Sequence, residues 1–438
     1  MPVAVHEVVE RLMESWPELS QDARVKAFNA LPRAETDDFF LQLGARDQAE
    51  LIFLLPEAER RIWLRLLAPD DAADLFQNIS SEQRESLLGL LDDPTRREVN
   101  ALMAYKEDVA GGRMSPRFAR LRPEMTADEA LAYLRHQAAQ VETIYYAYAL
   151  DLEQHLEGVI SLRDLFSSDR TKTVRDLMRT RFIFATEDMD QEAVAKIFSQ
   201  HHLLAIPVLD RNQLMKGIVT VDDIVAVVQE EASEDIQKVG GMEALDGPYL
   251  EVTFWNMVKK RAGWLAVLFL GEMLTATAMG YFEDEISKAV VLALFLPLII
   301  SSGGNSGSQA TTLVIRAMAL GEVRLRDWWR VIRREVFVGL ALGLVLAVIG
   351  MARILVWQAV KGTYGAHYLL IALTISCSLI GVVLFGSIAG SMLPFVLRRV
   401  GLDPASASAP FVATLVDVTG LVIYFSVASV ILRGTLLH

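Results

Sequence analysis

Apolar and polar positions follow two different patterns along this chain. Up to about residue 261, apolar residues recur every three or four positions among many charges, and beyond it long apolar stretches run almost uncharged. The first part predicts packed soluble elements and the second predicts helices that cross a membrane. From 20 to 105, leucines such as Leu64, Leu67 and Leu75 mark short helices. Turns separate them at Leu31-Pro32, Leu55-Pro56, Ala68-Pro69, Ile79-Ser80 and Asp93-Pro94. This repetition predicts an all-α superhelical N domain over 1–111.

After Ala110-Gly111-Gly112 the pattern changes to short strands alternating with helices, and it does so twice. The first pass predicts a helix at 127–137, strands at 143–150 and 158–161, and a helix from 163; the second predicts a helix at 191–201, strands at 205–209 and 217–220, and a helix from 222. Two phrases match: Gly158-Val159-Ile160-Ser161-Leu162-Arg163-Asp164 and Gly217-Ile218-Val219-Thr220-Val221-Asp222-Asp223. They divide the region into α/β halves at 112–180 and 181–236. The helix over 222–238 carries Glu230, Glu231, Glu234 and Asp235 on one side, where they repel one another unless a cation or water separates them. A cation site and a solvated face are equally good readings of that run. A connecting helix is expected over 237–261.

Five stretches are long enough to cross a hydrocarbon core of about 30 Å at about 1.5 Å per residue. They are 262–281, 290–315, 331–359, 368–397 and 409–432. Lys259, Lys260 and Arg261 precede the first; Arg316, Arg324, Arg326, Arg330, Arg333 and Arg334 follow the second; Arg398 and Arg399 precede the fifth. Basic loops stay in the cytosol, which predicts a cytosolic N-terminus and soluble half, and a C-terminus outside. The charges in Val3–Trp16 leave no apolar core for a secretory signal.

Composition sharpens this picture. The net charge of −13 comes from the soluble half, which therefore repels nucleic acid and attracts cations. The single cysteine, Cys377, excludes a disulfide framework and a cysteine-based zinc site. There is no P-loop and no spaced histidine set, so an enzymatic role finds no support.

One residue in the membrane half stands out. An ionised Asp inside a spanning helix costs several kcal/mol unless it meets water, a partner or an ion, and Asp417 lies within the fifth span, after Pro410 and Thr414 and before Gly420. An ion site is the favoured reading; a hydrogen bond to a neighbouring helix is the alternative. The second span holds Pro297 and then Gly303-Gly304-Asn305-Ser306-Gly307-Ser308-Gln309. Such a segment belongs against other helices or along a water-filled path. Gly303, Gly304, Asn305 and Thr414 are the expected lining. Glu272, in the first span, either lines the pore or bonds to a neighbouring helix, and the bond is the favoured reading.

The glycine-rich phrase, and the stretch from Asp403-Pro404 through Pro410, Thr414 and Asp417 to Gly420, resemble the signatures of the MgtE family of magnesium channels. The two matched β-α phrases resemble tandem CBS domains, and the order of parts over the whole chain is similar to that family. The resemblance implies a multidomain protein: a helical N domain, tandem α/β CBS domains, a long connecting helix and five transmembrane helices. It implies a homodimer in the bacterial inner membrane, bound by lipid and with no protein partner beyond its own copy. Mg²⁺ would pass Asp417 from each subunit, held through its waters because Mg²⁺ dehydrates reluctantly.

It also implies closure by cytosolic Mg²⁺ bound among Asp70, Asp74, Gly112, Asp190, Glu192, Asp223, Glu231, Glu234, Asp235 and Asp403, and ATP as a regulator contacting Tyr146, Arg163 and Asp164. The chain departs from the family pattern at His202 and Ala226, where carboxylates can stand, which implies fewer Mg²⁺ ligands. It departs again at Leu203, where an aromatic can stack on adenine, and at Ala409, in place of an Asn near the pore mouth. The alternatives are a broader transporter of Co²⁺, Mn²⁺ or Zn²⁺, and a membrane-anchored sensor of ions or nucleotides.

Overall fold

The computed structural model describes residues 2–250 and 252–436. It divides into two compact units, 1–229 and 230–438.

The first unit opens with short helices, each begun where an extended residue such as Pro32, Gly44 or Pro56 breaks the preceding turn. Gln21–Ala30, Ala45–Leu54, Pro69–Gln77 and Asp93–Leu102 stack one on the next, with the intervening helices filling the other layer. This is the expected superhelix. Its core holds aromatic pairs among leucines and alanines: Trp16 meets Phe39 at 5.0 Å between ring centroids, and Phe28 meets Trp63 at 4.9 Å.

Two sheets of the same design follow. In the first, β1 (Arg120–Leu121) runs parallel to β2 (Tyr146–Leu150), which pairs antiparallel with β3 (Leu156–Ser161). In the second, β4 (Ala185–Thr186) runs parallel to β5 (Ala205–Leu209), which pairs antiparallel with β6 (Met215–Thr220). The register slips at equivalent places, Ala149/Leu150 and Val208/Leu209. Phe118, Tyr148 and Leu150 of one half pack on Leu209, Met215 and Ile218 of the other, which makes the halves a pair. The boundary expected at 112 needs correction. Ser115 exchanges both backbone hydrogen bonds with Ile218, at 2.8 and 2.9 Å, and Val109 bridges Asp190, so the segment before the first half joins the second half's sheet.

Among the described residues the second unit contains five helices long and apolar enough to span a membrane: Phe254–Tyr281, Val290–Ala319, Leu325–Lys361, Tyr368–Arg399 and Ala409–Ile431. They are called spans one to five below. Spans two, four and five pack through glycines. A side chain on Gly386 would meet the Gly303 carbonyl at 2.3 Å, and one on Gly390 would meet that of Gly307 at 2.2 Å. The irregular backbone before Pro297 is satisfied within the protein, since the Tyr424 hydroxyl donates to the Leu292 carbonyl at 2.8 Å.

The helix expected over 222–238 is present and itself serves as the connection, and a separate connecting helix over 237–261 is not formed among the described residues. The helix Val221–Val239 is followed by irregular backbone at 240–250 and 252–253, up to span one. The break is local chemistry: Gly241 takes φ +75°, and a side chain there would strike Trp264 and Pro410 at 3.0–3.1 Å. The expectation over 237–261 ran across a Gly-Gly stop, and helix resumes at Phe254 as span one.

Candidate functional site

Three sites emerge, each held within one unit. The first lies in the membrane half. Gly271 of span one rests on Thr414 of span five so closely that a Cβ would stand 2.8 Å from its Cγ2. Thr414 is buried, and its hydroxyl donates to the Pro410 carbonyl at 3.1 Å. Asp417 is one turn further on and half-buried, and among the described residues no donor bonds to it. Glu272 follows Gly271, the residue that rests on Thr414 of span five. Its side chain is exposed and, among the described residues, makes no hydrogen bond, so the expected bond to a neighbouring helix is not made.

The expected lining is sorted by burial. A Cβ on Gly303 would lie 2.4 Å from Val382 and 2.7 Å from Val416, and Gly304 is buried beside Ala413, so both glycines serve helix packing. Thr414 does likewise, and none of the three lines an open path within one protomer. Asn305 differs. With Ser301 and Gln309 it forms an exposed stripe at four-residue spacing on span two. Amides and hydroxyls on a membrane helix need water or protein against them.

The second site is a crowd of carboxylates in the soluble unit. The helix Pro69–Gln77 carries Asp70, Asp71 and Asp74, with their charges near those of Asp222, Asp223 and Glu142. Asp70 is 8% exposed, and one of its carboxylate oxygens is buried without a partner. Burial first, then Glu142, Asp71 and Asp223, push its carboxyl well up. Loss of water on the inner side raises Asp71 to about 6, helped by the charges of Asp223 and Asp222. Burial raises Asp74 to about 7 although Arg113 lies 3.6 Å away, and raises Asp223 to about 6 although Thr220 donates to it at 2.6 Å. Among the described residues no three His, Cys, Asp or Glu are arranged tightly enough to ligate one ion directly. The crowd therefore suits a hydrated cation held by charge through its waters.

Sequence reasoning missed Asp71, Asp222 and Glu142. The first two adjoin expected residues, but Glu142 arrives through a chain fold, its amide donating to the Arg117 carbonyl at 2.8 Å. Asp190 caps the helix Gln191–His201 by accepting from the Glu192 amide at 2.9 Å, and both side chains face solvent. Gly112 is buried where a side chain would strike the Lys106 carbonyl at 2.2 Å. Glu231 and Asp235 lie further along the helix Val221–Val239, and Glu234 pairs with Lys238.

The third site is a cleft of about 940 Å³ at the end of the first sheet, and it unites Tyr146, Arg163 and Asp164 as expected. It adds Arg135, Arg179 and Arg181, which sequence spacing did not indicate. Arg179 lies 3.5 Å from Asp164, and the Ser161 hydroxyl accepts from the Asp164 amide at 3.0 Å. Four guanidiniums beside tyrosine rings and the apolar walls of Leu203 and Pro207 suit a planar ring carrying phosphates.

Comparison with known proteins agrees with this layout. Residues 296–427 match a family described as divalent cation transporter, 9–108 an MgtE intracellular N domain and 174–230 a CBS domain. The chain is 39% identical to the magnesium transporter MgtE of Thermus thermophilus, over 98% of this chain and 96% of that one. It is 33% identical to the MgtE of Enterococcus faecalis, over 91% and 94%. A crystal structure of the cytosolic domain of the Mg²⁺ channel MgtE in complex with ATP is 38% identical, with a TM-score of 0.48 over 50% of this chain and 90% of that one. With its helical N domain, CBS region and five apolar spans, this chain belongs to the MgtE family of magnesium transporters.

Proposed function

We propose that the chain conducts Mg²⁺ passively into the cytosol of a bacterium as a homodimer in the inner membrane, and that cytosolic Mg²⁺ closes it. The observation that carries the reading is Asp417, a carboxylate in a spanning helix with no donor bonded to it among the described residues. Such a group persists in a membrane where a cation or water meets it. The exposed stripe of Ser301, Asn305 and Gln309 supports a second copy against this face, with water between. Carboxylate and amide oxygens suit a hard cation, which favours Mg²⁺ over Co²⁺ or Zn²⁺. Inward flow needs no hydrolysis, since two charges crossing 100 mV release roughly 4.6 kcal/mol.

Closure rests on Asp70, Asp74 and Asp223, joined by Asp71, Asp222 and Glu142; Gly112, Asp190, Glu192, Glu231 and Asp235 are further candidates, while Glu234 and Asp403 hold Lys238 between them. Burying these carboxylates together is unfavourable while they are charged, so a divalent cation binding only the packed arrangement shifts the population toward it. ATP would occupy the arginine-lined cleft as a regulator. The arginines clustered around the junction of spans two and three support a cytosolic N-terminus and an outer C-terminus.

Mg²⁺ uptake into liposomes, with and without competing Co²⁺, Mn²⁺ and Zn²⁺, tests this. Uptake without ATP, resistant to the competitors, is expected. A reconstituted chain that carries no divalent ion would contradict it, and equal inhibition by all three would favour the broader transporter.

A further inference from the structure

The helix Val221–Val239 ends at an ion triad. The Lys238 ammonium lies 2.6 Å from Oδ2 of Asp403 and also touches the Glu234 carboxylate one turn back on its own helix. The other oxygen of Asp403 accepts from the Ala405 amide at 2.8 Å, capping the short turn Pro404–Ser406 that leads into span five. The same end of the helix is tied in twice more. Val239 packs with Ala405, Ala407 and Ile315, and the Leu245 amide donates to the Gln237 side chain at 2.7 Å. Beside them, the Trp264 indole of span one donates to Ser408, the cap of span five, at 3.0 Å.

Glu234 and Asp403 were both expected to bind a divalent cation, yet this chain places its own ammonium between them. We propose that Lys238 is a tethered cation that fills the seat a divalent ion would take between Glu234 and Asp403, locking the end of the connecting helix onto the turn that starts span five. One positive charge between two carboxylates leaves a net charge of −1, so the lock needs no metal and a divalent ion gains little by displacing a group that cannot diffuse away. Removing the ammonium would expose two carboxylates that repel each other until a divalent cation bridges them. The proposal rests on reading these carboxylates as cation-binding groups, and it makes Lys238 a positioning residue for the cytosolic mouth.

Hydrogen exchange of the full chain in lipid nanodiscs, with chelator or with millimolar Mg²⁺, tests it at 237–245 and 403–408. In the wild type, exchange in both segments should be the same in either condition. Lys238→Met should raise it about tenfold in chelator and fall back toward wild type with Mg²⁺. Lys238→Arg should behave as wild type, and Lys238→Met combined with Asp403→Asn should not respond to Mg²⁺. The proposal is overturned if Lys238→Met matches the wild type in chelator, or if Lys238→Arg loosens as much as Lys238→Met. It is also overturned if the wild type responds to Mg²⁺ as strongly as Lys238→Met. Liposome uptake is read separately: a wild type with no flux contradicts the transport reading and leaves this exchange pattern standing.

Discussion

The two halves of the CBS pair begin from nearly the same phrase and put it to opposite uses. In the first, Ser161 caps a helix whose next turn presents Arg163 and Asp164 to a cleft with three more arginines. In the second, Thr220 donates to Asp223, and the residue before it is Asp222, so the same turn faces a crowd of carboxylates. The backbone is shared: both sheets pair parallel then antiparallel and slip register at the same place. What differs is the sign of one side chain, Arg163 against Asp222. A repeated fold fixes where a turn points, and the charges gathered around it, arginines in one half and carboxylates in the other, set the sign of the ion that suits each place.

That contrast can be broken directly. Arg163→Asp, which gives the first phrase the charge of the second, should weaken ATP binding about 100-fold by calorimetry, because it removes a charge-assisted hydrogen bond of about 1.5–3 kcal/mol and adds repulsion. The converse change, Asp222→Arg, should supply the second site with a built-in cation. Hydrogen exchange of the helix Pro69–Gln77 should then slow by about tenfold in chelator and lose its response to Mg²⁺.

Acidity sharpens the comparison without mutation. Asp71 and Asp223 at about 6 and Asp74 at about 7 are raised above their ordinary range, so the packed arrangement binds more protons than the open one. Its stability is therefore greatest in acid and falls as pH rises through those values. In chelator, exchange of Pro69–Gln77, corrected for the intrinsic pH effect, should quicken over that range, and Mg²⁺ should suppress the change. The smallest effect belongs to Leu203→Phe at the wall of the first cleft. Ring stacking of about 0.5–1.5 kcal/mol should tighten ATP several-fold and leave the Mg²⁺ response unchanged.

Much of this was legible beforehand because it is local. Five spans declare themselves by apolar length, and their ends moved by a few residues because helical geometry continues beyond the apolar stretch, as from 262 back to Phe254. The short N-terminal helices announce themselves by Pro and Gly stops. What was hidden depends on chain folding. The joining of Ser115 to Ile218 and the arrival of Glu142 beside Asp71 connect residues distant in sequence, which no periodicity encodes. Arg179 and Arg181 reach the cleft from the segment between the halves, outside either phrase. The Gly240-Gly241 stop was readable, and the connecting helix expected over 237–261 ran across it.

Gly303, Gly304 and Thr414 teach a related point. Small residues in a membrane helix fit a pore and a tight helix crossing equally well by composition, and only the facing atoms, Val382 and Val416 for Gly303, assign them to the crossing. Asp417 also had two readings, an ion site or a hydrogen bond to a neighbouring helix, and among the described residues no donor bonds to it.

The central claim, that Mg²⁺ passes Asp417, is tested most directly by Mg²⁺ uptake into liposomes carrying wild type or Asp417→Asn at equal reconstitution and with the same inward-negative potential. Uptake should fall by at least about tenfold in the variant while the Mg²⁺ response of exchange in Pro69–Gln77 stays intact. Uptake by Asp417→Asn at the wild-type rate would contradict the account.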